Sequence, residues 1–575
     1  MASRLLGVLV ALAVATGCTG VPSQSGAQVV RRVPAEDPGA PEPRVSRRLP
    51  PPPPDARPDE IVRSYLIAQN DPGDDYAVAR RYLAPQAEWV TEGRAVVYAS
   101  RSLRPPRVSG DRASVAVRLA PVGAISPSGE FRSVSAPVDV TFRLRLVSGV
   151  GWRLVDPPAG LLVGREEVGT SFHRVTLYWP DQARRLAPDV VFLRANEQPV
   201  TAIVRALLAG PRGWLAPAVR TAIPKGTELL GPPDINERVV TLNFSREIRF
   251  VPQETLGTLV AQVVWTLTEQ PDVEAVRLLS EGVPLPLPAP PGVRPYRRAD
   301  WEAFAPVPPT ADRRLFFVMN GAPYAVDDDG RRSRVADTPP LESYAVNRAG
   351  TTLAGVTRAA DGRQALVFVD LTGAEPPRFA HSADRMSAPT WEPGGDVVWV
   401  VQSTGPAQQV VAVPAARGVY TVVRAPTSLP GPLTSLRLSP DGARAAIVTG
   451  SGRAASVWLA RVERPASGGR LLGEPRRVVP GVRGATAVAF DGPGALLFAT
   501  LAGRRPALYR AGVDGYGVEP VRDAGLPAGP ITALAVSAGA SLDRVALSGG
   551  RLWRRTPGAD WAALSWKAGA PAFAG

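Results

Sequence analysis

The stretch "TSLRLSPDGARAAIVTGSGRAASVWLARV", Thr434–Val462, decides the fold of half the chain. It reads strand, tight Asp-Gly turn, strand, polar turn, strand. The same order recurs before it in "SYAVNRAGTTLAGVTRAADGRQALVFVDL" (343–371) and "SAPTWEPGGDVVWVVQSTGPAQQVVAVPA" (387–415). It recurs after it in "TAVAFDGPGALLFATLAGRRPALYRAGVD" (486–514) and "TALAVSAGASLDRVALSGGRLWRRTP" (532–557). The repeats start about 45 to 52 residues apart, the length of a four-stranded propeller blade. Radial closure removes the open sheet edges that separate repeats would expose. The segment "RLFFVMNGAPYAVDDDG", Arg314–Gly330, supplies strands for a further blade. The region 312–575 is therefore expected to be an all-β propeller of about six blades. Asp361-Gly362 and Asp441-Gly442 suit tight turns, and that role outweighs metal ligation. Trp391, Trp399, Trp458, Trp553 and Tyr509 fall in blade strands, where they are expected to pack between blades.

Outward from the repeats, residues 289–311 ("APPGVRPYRRADWEAFAPVPPTA") read as a linker with some packing. The block 166–288 alternates strands and helices. "RVTLYW" and "PDVVFLRAN" are strands, "PVTAIVRALLAGP" is a helix, and "RVVTLNFS" is a strand. In "PQETLGTLVAQVVWTLTEQP", Leu256, Leu259, Val263 and Leu267 recur at helical spacing. A final strand follows in "VEAVRLLSEGVPLPLP". Asn243 and Ser245, at the end of one strand, are expected to cap turns rather than to meet a ligand. The block 58–165 opens with two helices, "EIVRSYLIAQN" and "DYAVARRYLAP". The first starts on Pro58, Asp59 and Glu60, favourable at a helix N-terminus. Alternating segments then predict a curled antiparallel sheet, an α+β pattern.

The start of the chain carries its only cysteine, Cys18. Before it lie Arg4, an apolar run from Leu5 to Ala15, and small residues up to Gly17, the layout of a secretory signal over 1–17. The apolar run is too short to span a bilayer. Residues 18–57 are rich in Pro and charge and cannot fold alone. Fully extended at about 3.1 Å per residue, they span roughly 100 Å. One cysteine leaves no disulfide partner.

The net charge is +14, almost wholly from Arg, since Lys occurs only at Lys225 and Lys567. The arginines are scattered and the chain is read as exported, so nucleic acid is not the expected partner. Anionic lipid or wall polymer suits the charge better. The two histidines, His173 and His381, lie in different blocks, one before a strand and one in a turn region. No clustered metal ligands, nucleophile relay, phosphate loop or dinucleotide motif accompanies them. No cofactor, metal or catalytic residue is expected.

Several of these stretches resemble known families. Cys18 after small residues resembles the bacterial lipoprotein signal, with Ala15 standing where Leu is usual. That resemblance implies a diacylglyceryl thioether on Cys18, cleavage before it, and acylation in some species. The block 58–165 is similar to the nuclear-transport-factor-2-like cone. "LLAGP" (207–211), "AIPKGTELL" (222–230), "VTLNFS" (240–245) and 259–285 resemble the GerMN domain of spore germination proteins. "SPDG", Ser439–Gly442, resembles the TolB-type propeller repeat. The whole order, from lipidated Cys through spacer, α+β domain and GerMN domain to propeller, resembles the actinobacterial LpqB lipoprotein family. The resemblance implies a non-enzymatic protein on the outer face of the cell membrane. It would contact the extracellular part of the MtrB sensor kinase and influence wall homeostasis and division. A wall-glycan or peptidoglycan binder and a propeller hydrolase are the alternatives.

Overall fold

A computed structural model describes residues 51–285, 295–307, 313–327, 329–416, 418–502, 505–522, 525–526, 529–539 and 542–575. Cys18, the signal 1–17 and most of the linker 18–57 lie outside the described residues.

The N-terminal domain begins with α1 (Pro58–Ala68), whose N-terminal turn is closed by Glu60 accepting from Arg57 N at 2.9 Å. Its buried face of Ile61, Val62, Tyr65 and Leu66 packs on a curved sheet. In α2 (Gly73–Arg80) the backbone at Asp74, Asp75 and Tyr76 turns left-handed. The Tyr76 ring is buried, edge-on to Trp89 at 5.4 Å. The sheet comprises β1 (Ala95–Leu103), β2 (Arg107–Ser109), β3 (Arg112–Ile125), β4 (Phe131–Ser133), β5 (Val138–Val147), β6 (Gly151–Leu154) and β7 (Leu161–Gly164). Its main order is β6-β5-β3-β1-β7. One expectation needs correction: the sheet is not wholly antiparallel, because β7 runs parallel to β1. The strand "LLVG" is buried throughout, so it lacks the alternation that marks a strand with one wet face.

A short helix, α3 (Val168–Ser171), leads into the middle domain. There β8 (Phe172–Pro180) and β9 (Leu186–Arg194) form a hairpin sheet of their own. After α4 (Pro199–Leu208) come β10 (Asp234–Asn236) and β11 (Val239–Phe244). The helix α5 (Gln253–Leu267) crosses over to β12 (Ala275–Ser280), which lies parallel to β11. All four periodic residues of α5 are buried. So are Val260 and Val264, because the helix is covered on the β8–β9 side as well as by the second sheet. β13 (Val283–Pro284) and β14 (Tyr296–Arg297) finish that sheet against β12. The segment expected as a linker packs here: Trp265 Nε1 donates to Trp301 O at 3.1 Å, and the Arg298 guanidinium lies 4.6 Å over the Trp265 ring.

Six further sheets, each of four or five strands, form the C-terminal region. Blade 1 contains Leu315–Met319, Ala322–Val326, Arg332–Arg334 and, from the far end of the sequence, Gly569–Ala572. Blade 2 runs from Leu341 to Ala383, blade 3 from Arg385 to Val423 and blade 4 from Leu433 to Arg477. Blade 5 spans Ala485 to Pro520 and blade 6 spans Ile531 to Lys567. The ring closes because Gly569–Ala572 pairs with Leu315–Met319, while Val346 bridges to Ala574. Apolar clusters fill the wedges between neighbouring blades. Trp399 of blade 3 packs with Leu436 of blade 4, and Leu497 of blade 5 with Leu534 of blade 6.

Candidate binding site

The loops after the innermost strands of the blades surround the mouth of the propeller channel. A cavity of about 170 Å³ opens there, lined among others by Tyr344, Arg348, Trp391, Arg437, Phe490 and Leu534. Arg437 donates to three carbonyls, those of Ala388 (3.3 Å), Pro389 (3.4 Å) and Leu436 (3.3 Å). Burial pulls its guanidinium pKa down. Arg348 donates to Pro440 O at 3.2 Å. Burial, and then Arg185 of the β8–β9 turn, lower it to about 10, against the pull of Asp441. Both groups stay protonated at neutral pH, so they transfer no proton. With aromatic walls around them, they can hold a carboxylate or another anion that carries an apolar body.

The β8–β9 turn beside this mouth belongs to a junction of the N-terminal domain, the middle domain and the propeller. Phe131, Phe192 and Tyr516, one from each, meet with ring centroids 6.0, 5.1 and 5.0 Å apart. Glu130 accepts from Trp214 N at 3.2 Å and pairs with Arg476. The Trp214 ring lies 4.1 Å under the Arg476 guanidinium, and its Nε1 donates to Glu474 O at 2.6 Å. Arg174 reaches Asp514 at 3.2 Å, and Arg444 donates to Pro188 O. One apolar core continues from the middle domain into blades 4 and 5 through Trp214, Leu215, Val457, Val478 and Val488. Between the N-terminal and middle domains a cavity of about 400 Å³ is lined by Phe172, Trp179, Asp189, Arg194 and Arg205 among others. Asp189 lines this cavity, and burial pushes its carboxyl pKa up to about 6, against Arg444 and the hydrogen bond from Trp179.

The residues singled out in the sequence fall in different places. Asn243 accepts from Gly282 N at 2.9 Å and Ser245 Oγ from Glu228 N at 2.9 Å, so both tie turns. Trp391 donates to Ala345 O of blade 2 at 3.1 Å, and Trp399 to Glu392 at 2.7 Å. Tyr509 stacks on Phe498 at 5.5 Å. Trp458 donates to Ser456 Oγ at 2.9 Å, and Trp553 packs at the wedge of blades 5 and 6. Asp361 accepts from Arg363 N at 2.9 Å, as a turn residue does. Asp441 is fully buried, accepting from Ser439 Oγ and Ala443 N at 2.7 Å, and it also pairs with Arg444. Neither histidine sits where expected. His173 lies inside β8, and His381 lies in the strand Arg378–Ala383, bonded to Gln402 and 4.5 Å from the Tyr420 ring. The two are in different domains. Among the described residues no group of three or more His, Cys, Asp or Glu could hold a metal ion. Sequence reasoning missed Glu130, Trp214, Arg437 and Arg476. Trp214, in the turn-forming "GPRGWLAP", was the one available signal, since a large aromatic in such a loop wants a partner.

Fold and cavity together define a GerMN–propeller protein with an additional α+β domain. Family models agree block by block: the lipoprotein LpqB N-terminal domain matches residues 51–169, the sporulation and spore germination domain 176–286, and the lipoprotein LpqB β-propeller domain 330–574. The lipoprotein LpqB of Mycobacterium tuberculosis (strain CDC 1551 / Oshkosh) is 30% identical over 509 residues, covering 83% of this chain and 82% of that relative. That of Rhodococcus opacus (strain B4) is 26% identical, with 97% of both chains covered. Among solved structures, TolB from Acinetobacter baumannii aligns with a TM-score of 0.38 at 15% identity, covering 48% of this chain and 70% of TolB. The chain belongs to the LpqB lipoprotein family.

Proposed function

We propose that the chain is a lipoprotein held on the outer face of the cell membrane through Cys18. There it acts without catalysis, binding the extracellular part of an MtrB-type sensor kinase and thereby influencing wall homeostasis and division. The observation that carries the binding role is the channel mouth, where Arg348 and Arg437 face an aromatic-walled cavity and donate to main-chain carbonyls. An acidic side chain flanked by apolar residues on a partner loop fits those groups. Confinement to the membrane raises the effective concentration near a membrane kinase, so a weak contact suffices. Signalling shifts only if one kinase state is bound better than the other. Family membership supports the lipid anchor, and no helix among the described residues is long and apolar enough to cross a membrane.

The test is capture of the mature chain by the immobilised kinase extracellular region. Arg348→Ala is expected to weaken capture about tenfold, the loss of one charge-assisted hydrogen bond. Equal binding to active and inactive kinase forms, or an unchanged Arg348→Ala, removes the reading. The net charge of +14 favours a second reading, attachment to anionic wall polymer. Retention on purified sacculi without any kinase would support it.

A further inference from the structure

The N-terminal domain carries a surface that the channel mouth does not explain. Two turns, residues 109–112 and 147–151, lie side by side at one end of its sheet: Arg112 is opposite Arg145, and Leu146 N donates to Asp111 O at 2.8 Å. On this face the cross-strand register continues from Arg145 to Arg153, which is buried, so Arg112 and Arg145 are the exposed members of the row. The next row holds Arg107, Ser114 and Arg143. Like charges directly opposite across strands destabilise a sheet. Only Arg143 of these is compensated by a carboxylate, Asp156 at 2.6 Å. Among the described residues no carboxylate lies within ion-pair distance of Arg107, Arg112 or Arg145. The other acids near this end are Asp55 and Asp111, at exposed positions.

Two more features converge here. Val108, Leu146 and Val150 are exposed at 55%, 46% and 41% at the same end of the sheet, Val108 and Leu146 on the opposite face from the arginines. The N-terminal segment also reaches the fold at this end. A methyl group at Gly151 would lie 2.4 Å from Pro54 O, so the last residues of the spacer from Cys18 run against the same turn.

We propose that this end of the N-terminal domain is a second membrane contact, with Arg107, Arg112 and Arg145 on anionic phospholipid headgroups and Val108, Leu146 and Val150 dipping into the headgroup–acyl boundary. The proposal deepens the lipoprotein reading and rests on it. Guanidinium groups match phosphate. A bilayer takes up aliphatic side chains that a hydrated wall polymer has no medium for. A single lipid attachment leaves a tethered body free to turn on its spacer; this contact orients it, with the tethered end toward the bilayer.

The experiment uses the full mature chain with Cys18→Ser, which carries no lipid, sedimented with vesicles. Vesicles of phosphatidylcholine mixed with phosphatidylglycerol should retain it, and added salt should release it. Vesicles of phosphatidylcholine alone should not retain it. Arg112→Gln and Arg145→Gln, both at exposed positions, should each lower the partition coefficient about fivefold. Val150→Asp should lower it at unchanged charge on the arginines. Equal retention on both vesicle types, or variants that bind like the parent, overturns the proposal. So does retention on purified wall, lost with the same arginine substitutions, when vesicles retain nothing. The anchor is tested separately: a Cys18→Ser chain that stays on cell membranes even with Arg112→Gln and Arg145→Gln added would defeat the lipid reading, whereas failure on vesicles defeats only the second contact.

Discussion

Asp189 lines the cavity between the N-terminal and middle domains, burial disfavours its charge, and its pKa rises to about 6. The unfolded chain ionises this group at an ordinary carboxyl value, near 4. Folding is therefore favoured by the protonated form. That contribution is fully present below about pH 4 and is lost as pH rises through about 6. Asp189→Asn keeps an acceptor for Trp179 Nε1 and removes the ionisation. Its melting temperature should lack the fall that the parent shows between those values, as calorimetry at several pH values would reveal; an identical slope would refute the assignment. Gly129 offers a second test at this scale. Its φ is +82°, and a Cβ there would lie 2.8 Å from Phe192 O across the domain junction. Gly129→Ala should cost about 1–3 kcal/mol in denaturant titration. Gly110→Ala, at φ +59° with nothing within 4 Å, should cost about 1 kcal/mol, the left-handed strain alone. Neither residue's role was legible in the sequence. A glycine before a strand and an acid inside one look ordinary until the partner domain is placed.

At the scale of elements, the propeller was the most legible part, because its blades repeat as strands separated by Gly-rich and polar turns at a near-constant spacing. The exceptions have physical reasons. "GAPA", 569–572, has no alternation and no turn partner nearby, so nothing local marked it as the strand that completes blade 1. The "SPDG" turn was readable, but not the arginine behind it, which reaches Pro188 in another domain. Acids after inner strands also link neighbouring blades. Glu392 of blade 3 takes Arg464 and Arg470 of blade 4. Asp491 of blade 5 takes Arg510 of its own blade at 2.8 Å and Arg544 of blade 6 at 2.7 Å. Burial alone would push Asp491 up, but Arg544 and Arg510 hold it below the usual carboxylate range. Its contribution is thus present at neutral pH and lost as pH falls through the lowered value. Arg544→Met strips a buried carboxylate of one partner and should destabilise the protein by about 3–5 kcal/mol. Adding Asp491→Asn should recover much of that loss; a double variant as unstable as the single one would show that packing, not charge, was lost.

For the molecule as a whole, domain order was legible and domain docking was not. Composition shifts and Pro-rich stretches separate the blocks, but a loop tryptophan or a strand arginine aimed at another domain reads as ordinary surface. The Glu130–Trp214–Arg476 cluster and the core that runs from the middle domain into blades 4 and 5 make these parts one body. One cooperative thermal transition is expected for the three described domains. Trp214→Ala should cost about 3–5 kcal/mol at the junction and split the calorimetric trace in two; a single unsplit peak would argue that coupling lies elsewhere.

The pairing of residues 569–572 with blade 1 also sets a schedule for the newly made chain. The propeller has no closed ring to fold into until its final segment has been made. Blades made earlier wait with an open seam and need protection from proteases and from one another. Late truncations, even of a few residues past the last complete blade, should therefore be recovered as degraded protein rather than as a shortened but working one.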